Sequence, residues 1–185
     1  MPTTLIQQFP ERVQLELFRP EEAVLVPVTI AQGFACQQGD VLGQITTTGK
    51  ARRRSRTLAA GAGFSAASAV GNVADASVFA PGDVLTTSTG LAIGTIAANG
   101  VNVQNNTVTL QANSANAVAA GTAVIATDGS AVAKGIADDG SDGTNDTPMA
   151  AIIEGVLNPA LLRGLDSSAI SDLSGALVFG NAFKF

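Results

Sequence analysis

The side chains that could do chemistry in this sequence are few and unevenly placed. The densest acidic stretch runs Asp138-Asp139-Gly140-Ser141-Asp142-Gly143-Thr144-Asn145-Asp146-Thr147. Ca2+ takes oxygen ligands from such loops, but no bidentate Glu follows at the offset an EF-hand requires. A solvated turn between strands is the plainer reading. Positive charge is concentrated in Lys50-Ala51-Arg52-Arg53-Arg54-Ser55-Arg56, which holds five of the ten Lys and Arg residues. From Arg56 to Arg163 the only other base is Lys134, while Asp75, Asp83, Asp128 and the acidic stretch lie between. The basic run reads either as a solvated loop or as an electrostatic contact, through Lys50, Arg52, Arg53, Arg54 and Arg56, with an acidic surface or another subunit. Direct nucleic-acid binding is not expected. The net charge is −5, and no Tyr or Trp is present to stack on bases.

Catalytic groups are scarce. With no His, the chain has no Ser-His-Asp triad, Cys-His dyad or imidazole metal ligand. One cysteine, Cys36, cannot form an internal disulfide or a thiolate zinc site, and reads as a small apolar residue. Gly61-Ala62-Gly63 lacks the further Gly and the Lys-Ser/Thr pair of a phosphate loop. Asp40 and Asp83 follow glycine at equivalent positions, where a carboxylate caps the backbone of its own turn. The residues therefore predict no enzyme, no metal and no cofactor.

These groups must be carried by β structure. The chain has 185 residues, 46% hydrophobic but only 4% aromatic and 14% charged, so it is rich in small apolar side chains. That content argues against disorder. No run of ~18 apolar residues predicts a membrane span, and Met1–Pro10 does not read as a signal peptide, so synthesis in a cytoplasm without export is expected. Residues 1–22 contain Pro2, Pro10 and Pro20 and read as an extended arm. Within it Val13, Leu15 and Leu17 alternate with Gln14, Glu16 and Phe18, the pattern of a strand that must join a sheet. Residues 23–185 read as one β-rich domain.

A motif recurs along that domain. Gly39-Asp40-Val41-Leu42 returns as Gly82-Asp83-Val84-Leu85, and more weakly as Gly121-Thr122-Ala123-Val124-Ile125. Each copy predicts a glycine turn, a β-branched strand, a polar turn and a second strand, with Thr127-Asp128-Gly129-Ser130 as the hairpin turn of the third. Val101–Val103 and Val108–Leu110 predict a hairpin about Gln104-Asn105-Asn106. Val24–Ile30 and Ala150–Leu157 read as strands, with Pro27 at an edge or bulge. Residues 57–80, rich in Ala, Gly and Ser, fit a helix, a loop or an element ordered by a partner. Asn158-Pro159 opens a short helical turn, and Asp166 caps a helix with Ile170, Leu173 and Leu177 on one face. Val178–Phe185 reads as an extended tail. The fold expected is mainly β: a small β-barrel or β-clip-like sandwich of hairpins, with an extended N-terminal arm and one or two short C-terminal helices.

Two segments carry a resemblance. One is Gly39-Asp40-Val41-Leu42-Gly43-Gln44-Ile45-Thr46-Thr47-Thr48-Gly49-Lys50. The other is Leu162-Arg163-Gly164-Leu165-Asp166-Ser167-Ser168-Ala169-Ile170-Ser171-Asp172-Leu173, with the closing Phe179-Gly180-Asn181-Ala182-Phe183-Lys184-Phe185. Together they resemble the head decoration, or capsid cement, proteins of tailed bacteriophages, the lambda-type family, over about a fifth of the chain. Short members lack the second Gly-Asp-Val-Leu unit, so residues 57–119 would be an inserted β subregion, and Arg52–Arg56 replaces a neutral continuation.

The resemblance implies a structural virion protein on the outer capsid surface. It would bind the expanded icosahedral shell as homotrimers at local three-fold axes and stabilise that shell against DNA pressure. The implied partners are the major capsid protein and further copies of the chain, with no membrane. The arm, especially Leu5, Ile6, Phe9, Val13, Leu15 and Leu17, would contact the capsid, although Val13 and Leu15 could equally pack in the protein's own sheet. A tail-tube, fibre or adhesin component of a virion is the main alternative. A sugar-binding β-clip domain or a surface-layer protein fits less well.

Overall fold

A computed structural model describes residues 23–175 and 177–179. The arm, with Leu5, Ile6, Phe9, Val13, Leu15 and Leu17, lies outside the described residues, as does the end of the tail. The protein is mainly β, with a closed five-stranded barrel, a curled second sheet and a short C-terminal helix.

The barrel is built from β1 (Val24–Ile30), β2 (Val41–Gln44) and β3 (Ala51–Arg53), and from β10 (Ala133–Ala137) and β11 (Thr147–Leu157), which come much later in the chain. Their order is β1-β3-β2-β10-β11, and β11 returns to pair with β1. β12 (Leu177–Phe179) adds in parallel to the end of β11. The second sheet comes from the chain between: β4 (Arg56–Leu58), β5 (Val70–Asn72), β6 (Val84–Thr87), β7 (Ala92–Asn102), β8 (Thr107–Leu110) and β9 (Ala123–Ala126), in the order β4-β9-β6-β7-β8-β5. It curls until its ends meet, with Ala59 bridging Val73 and the Ala74 N–H donating to the Leu58 carbonyl at 2.8 Å. Residues 57–80 thus resolve into two short strands and a 3-10 turn at Ala76–Val78 capped by Asp75.

The repeated motif has a common backbone. Gly39, Gly82 and Gly121 all have φ between 84° and 88°. Each sits third in a turn closed by the Asp40 N–H to Gln37, the Asp83 N–H to Ala80 and the Thr122 N–H to Ala119. That position needs a left-handed residue, which glycine adopts without steric cost. The two aspartates also do the same thing: Asp40 Oδ2 accepts from the Gln37 N–H at 2.7 Å, and Asp83 Oδ2 from the Ala80 N–H at 2.9 Å. The first two copies form the hairpins β2/β3 and β6/β7. The third does not form the expected hairpin. β9 joins the second sheet and β10 the barrel, so Thr127–Ser130 is a crossover.

Each unit has its own apolar centre. Phe64, Phe79, Leu85, Ile93, Ile96, Val108 and Val124 fill the second sheet. Val41, Ile136, Ile152 and Leu157 fill one part of the barrel, and Ile30, Cys36, Leu42 and Ala137 another. Each such aliphatic side chain contributes about 1.5–3 kcal/mol on burial. Helix α1 (Ser167–Leu173) closes the barrel with Ala169 and Leu173. The expected apolar face is corrected in part. Ile170 is 40% exposed, and Leu177 packs beside Leu173 from strand β12. No described helix is long and apolar enough to cross a membrane.

Candidate functional site

The polar centre of the molecule lies where the chain passes between barrel and second sheet. It passes twice, at Arg54–Ser55 and along Thr127–Val132. The two crossings touch: Ser130 Oγ donates to Ser55 Oγ at 2.7 Å, and the Ser55 N–H donates to the Ser130 carbonyl at 3.2 Å. Both serines are fully buried.

The basic run lines this junction. On a strand, successive side chains point to opposite faces, so β3 sends Arg52 and Arg53 apart. Arg52 is fully buried and takes Asp83 in a two-point pair, Nη1 to Oδ1 at 2.9 Å and Nη2 to Oδ2 at 2.8 Å. It also donates to Asp128 Oδ2 at 3.0 Å and to the Val78 carbonyl at 2.6 Å, and its guanidinium carbon lies 3.9 Å from the centre of the Phe34 ring. Arg53 donates to Ser77 Oγ and Asp75 Oδ2, and its Nε lies 3.4 Å from Asp40 Oδ2. Neighbouring arginines therefore serve the equivalent aspartates of the first two repeats.

Arg54 ties the C-terminal helix to the same junction. Only 4% exposed, it donates from Nε to the Ala131 carbonyl, from Nη1 to Asp166 Oδ1 at 2.8 Å, and from Nη2 to Ser168. Arg56 Nε donates to Asp166 Oδ2 at 3.1 Å. Asp166 is at once the helix cap, accepting from the Ala169 N–H at 2.7 Å, and the acceptor for both arginines. Burial alone would raise its pKa, but the Ala169 N–H, the Arg54 guanidinium and the Ser168 hydroxyl outweigh burial and hold it at about 2. At Asp75 burial is likewise outweighed, by Ser77 and Arg53, and the carboxyl lies below its usual range.

The outward electrostatic contact expected of this run is corrected for its centre. Arg52 and Arg54 are inside and paired within the chain, because carboxylates distant in sequence fold back around them. At the rim, Lys50 pairs with Asp146 and remains partly exposed. In the acidic loop, Asp146 also accepts from the Gln32 N–H, and Asp142 accepts from the Thr144 N–H of its own turn. No group of three candidate ligands converges on a metal position among the described residues. Cys36 is buried against Ser141, and burial pushes its thiol up.

The two segments that carry the resemblance meet in space. The Val41 N–H donates to the Arg163 carbonyl at 2.9 Å, the Arg163 N–H donates to the Gly39 carbonyl at 3.0 Å, and Arg163 Nε lies 3.1 Å from Asp40 Oδ1. Sequence reasoning did not find Asp75, Asp83, Asp128 and Asp166 as partners of the arginines. Its one available signal was the clustering of bases in an otherwise acidic chain. No family model matches this chain, and neither a curated protein nor a solved structure matches it.

Proposed function

We propose that this chain is a structural virion protein that binds the outside of an expanded icosahedral capsid, as trimers at local three-fold axes, and holds the shell against DNA pressure. The observation that supports this most is the junction of Gly39–Val41 with Arg163. The two segments that resemble capsid decoration proteins stand more than a hundred residues apart in sequence, yet they form one unit in which β2, its turn and the C-terminal helical region are hydrogen bonded together. A chance likeness of two separate strings would not require them to touch.

The chemistry agrees with binding rather than catalysis. The arginines and their aspartates are engaged in holding the fold. The arm, through Leu5, Ile6, Phe9, Val13, Leu15 and Leu17, carries the capsid contact by adding a strand to a sheet of the major capsid protein. Stabilisation then follows from mass action. A ligand that binds only the expanded shell stabilises each site by about 2.7 kcal/mol when its free concentration is a hundred times its Kd. The test is the heat resistance of expanded capsids of the encoding virus. Shells saturated with the protein should disrupt at a higher temperature than bare shells. Equal disruption temperatures at saturation would refute the stabilising role.

A further inference from the structure

Lys134 is set apart from the other bases. Lys50, Arg52, Arg53, Arg54, Arg56 and Arg163 each pair with an aspartate, whereas Lys134 pairs with none among the described residues. Its side chain is exposed. It also sits at an irregular step between β10 and β2. Ala133 lies opposite Gly43 and Gly135 opposite Leu42, so Lys134 is the extra residue of a bulge. A bulge breaks the alternation of a strand and re-aims the side chain it carries.

Lys134 lines a hollow of about 410 Å3, open to solvent, together with Gln44, Thr46, Gly49, Gly129 and Val132. The walls are tied in place. The Thr46 N–H donates to the Asp128 carbonyl at 2.8 Å, the Gly49 N–H to the Ile45 carbonyl at 2.8 Å, and Gln44 Nε2 to the Gly49 carbonyl at 2.9 Å. Gly129, at φ 94°, lies so near Thr46 Oγ1 that a Cβ there would overlap it. No carboxylate lines this hollow. Asp128 turns its oxygens to Arg52 and Ser130 instead. A second hollow that Lys134 and Val132 also line differs, because Glu154 and Asp172 are in its wall.

An unpaired ammonium beside a neutral polar hollow is a receptor for an anion. Lysine is a single point charge and matches one negative charge. A doubly charged phosphate would be only half neutralised, with Glu154 and Asp172 in the adjoining hollow. The neutral groups select what else the anion carries. Gln44 spends its Nε2 on Gly49 and keeps Oε1 as an acceptor, and the Thr46 hydroxyl both donates and accepts. These suit hydroxyl groups. Val132, 45% exposed, offers methyls to the C–H face of a ring. The volume lies within the range of small-ligand sites.

We propose that this hollow binds a sugar acid, its carboxylate on Lys134 Nζ and its hydroxyls on Thr46 and Gln44 Oε1. This binding is additional to the shell contact and does not rest on it.

The test is a nuclear magnetic resonance titration of the 15N-labelled full chain at neutral pH with glucuronate, and separately with glucose, acetate and inorganic phosphate. Glucuronate should shift the amides of Thr46, Gly49, Gly129 and Lys134 saturably. Lys134→Gln, a change at an exposed side chain, should weaken glucuronate about tenfold or more, as loss of a hydrogen bond to a charged group requires. Glucose should bind the unaltered protein as weakly as glucuronate binds that variant. Absence of saturable shifts at these amides would overturn the proposal, as would unchanged affinity in Lys134→Gln. Acetate binding as tightly as glucuronate would overturn the sugar assignment, because the hydroxyls would then contribute nothing. Tighter binding of phosphate would overturn the choice of a singly charged ligand.

Discussion

Ser130 and Ser55 are hydrogen bonded to each other, Oγ to Oγ at 2.7 Å, at the two points where the chain crosses between barrel and second sheet. The crossings are therefore clamped together rather than acting as independent linkers. Gly43 of β2 packs directly under this clamp: a Cβ there would overlap the Ser130 carbonyl. The obstacle is backbone and cannot rotate away. Gly43→Ala should lower stability by about 3 kcal/mol, at the upper end of ordinary overpacking. Urea unfolding followed by far-ultraviolet circular dichroism suits a chain without Trp or Tyr. An unchanged midpoint would remove the clamp from the account.

Arg52 is the centre of the junction. Removing it strands Asp83 and leaves the Val78 carbonyl without its donor, so Arg52→Met should cost about 3–5 kcal/mol. Arg52→Lys should restore little, because a single ammonium cannot make the two-point pair with Asp83 while also reaching Asp128 and Val78. Full rescue by lysine would mean that charge alone, not the planar fork, holds the sheets together.

Asp166 makes the C-terminal helix acid-sensitive. Its pKa in the folded chain, about 2, lies below the ordinary ~3.9 of an unfolded aspartate. The stabilisation it provides is complete above the unfolded value and is lost as pH falls from about 4 through about 2. Asp166→Asn should be less stable at neutral pH and should flatten the fall in melting temperature across that window. Parallel curves for the two proteins would place the acid sensitivity elsewhere.

Deleting residues 1–20 should leave the circular dichroism spectrum of the barrel and second sheet intact, because their described contacts are made without the arm. Shell binding should be lost. A truncated protein that binds shells with unchanged affinity would move the contact onto the described body.

Much of the fold was legible because its signals are local. The Gly-Asp turns, the β7/β8 hairpin about Gln104–Asn106, and the caps at Asn158 and Asp166 each depend on residues within a few positions. What escaped depends on distant pairing. The Thr127–Ser130 turn looks like a hairpin because Asp128-Gly129 sits between apolar runs, yet its flanking strands are captured by different sheets. The basic run looks outward because arginines are usually solvated. Here partners distant in sequence, Asp75 and Asp166 among them, enclose them. Residues 57–80 gave no periodicity, since β4 and β5 are three residues each and ordered by β9 and β8.

The most direct measurement of the central claim is co-sedimentation of the labelled full chain with expanded, undecorated capsids of the encoding virus, alongside unexpanded proheads. The account predicts saturable binding to expanded shells, at a fixed number of copies per capsomer, and none to proheads. Absence of binding to both shells would contradict it and point to a tail or fibre component of the virion.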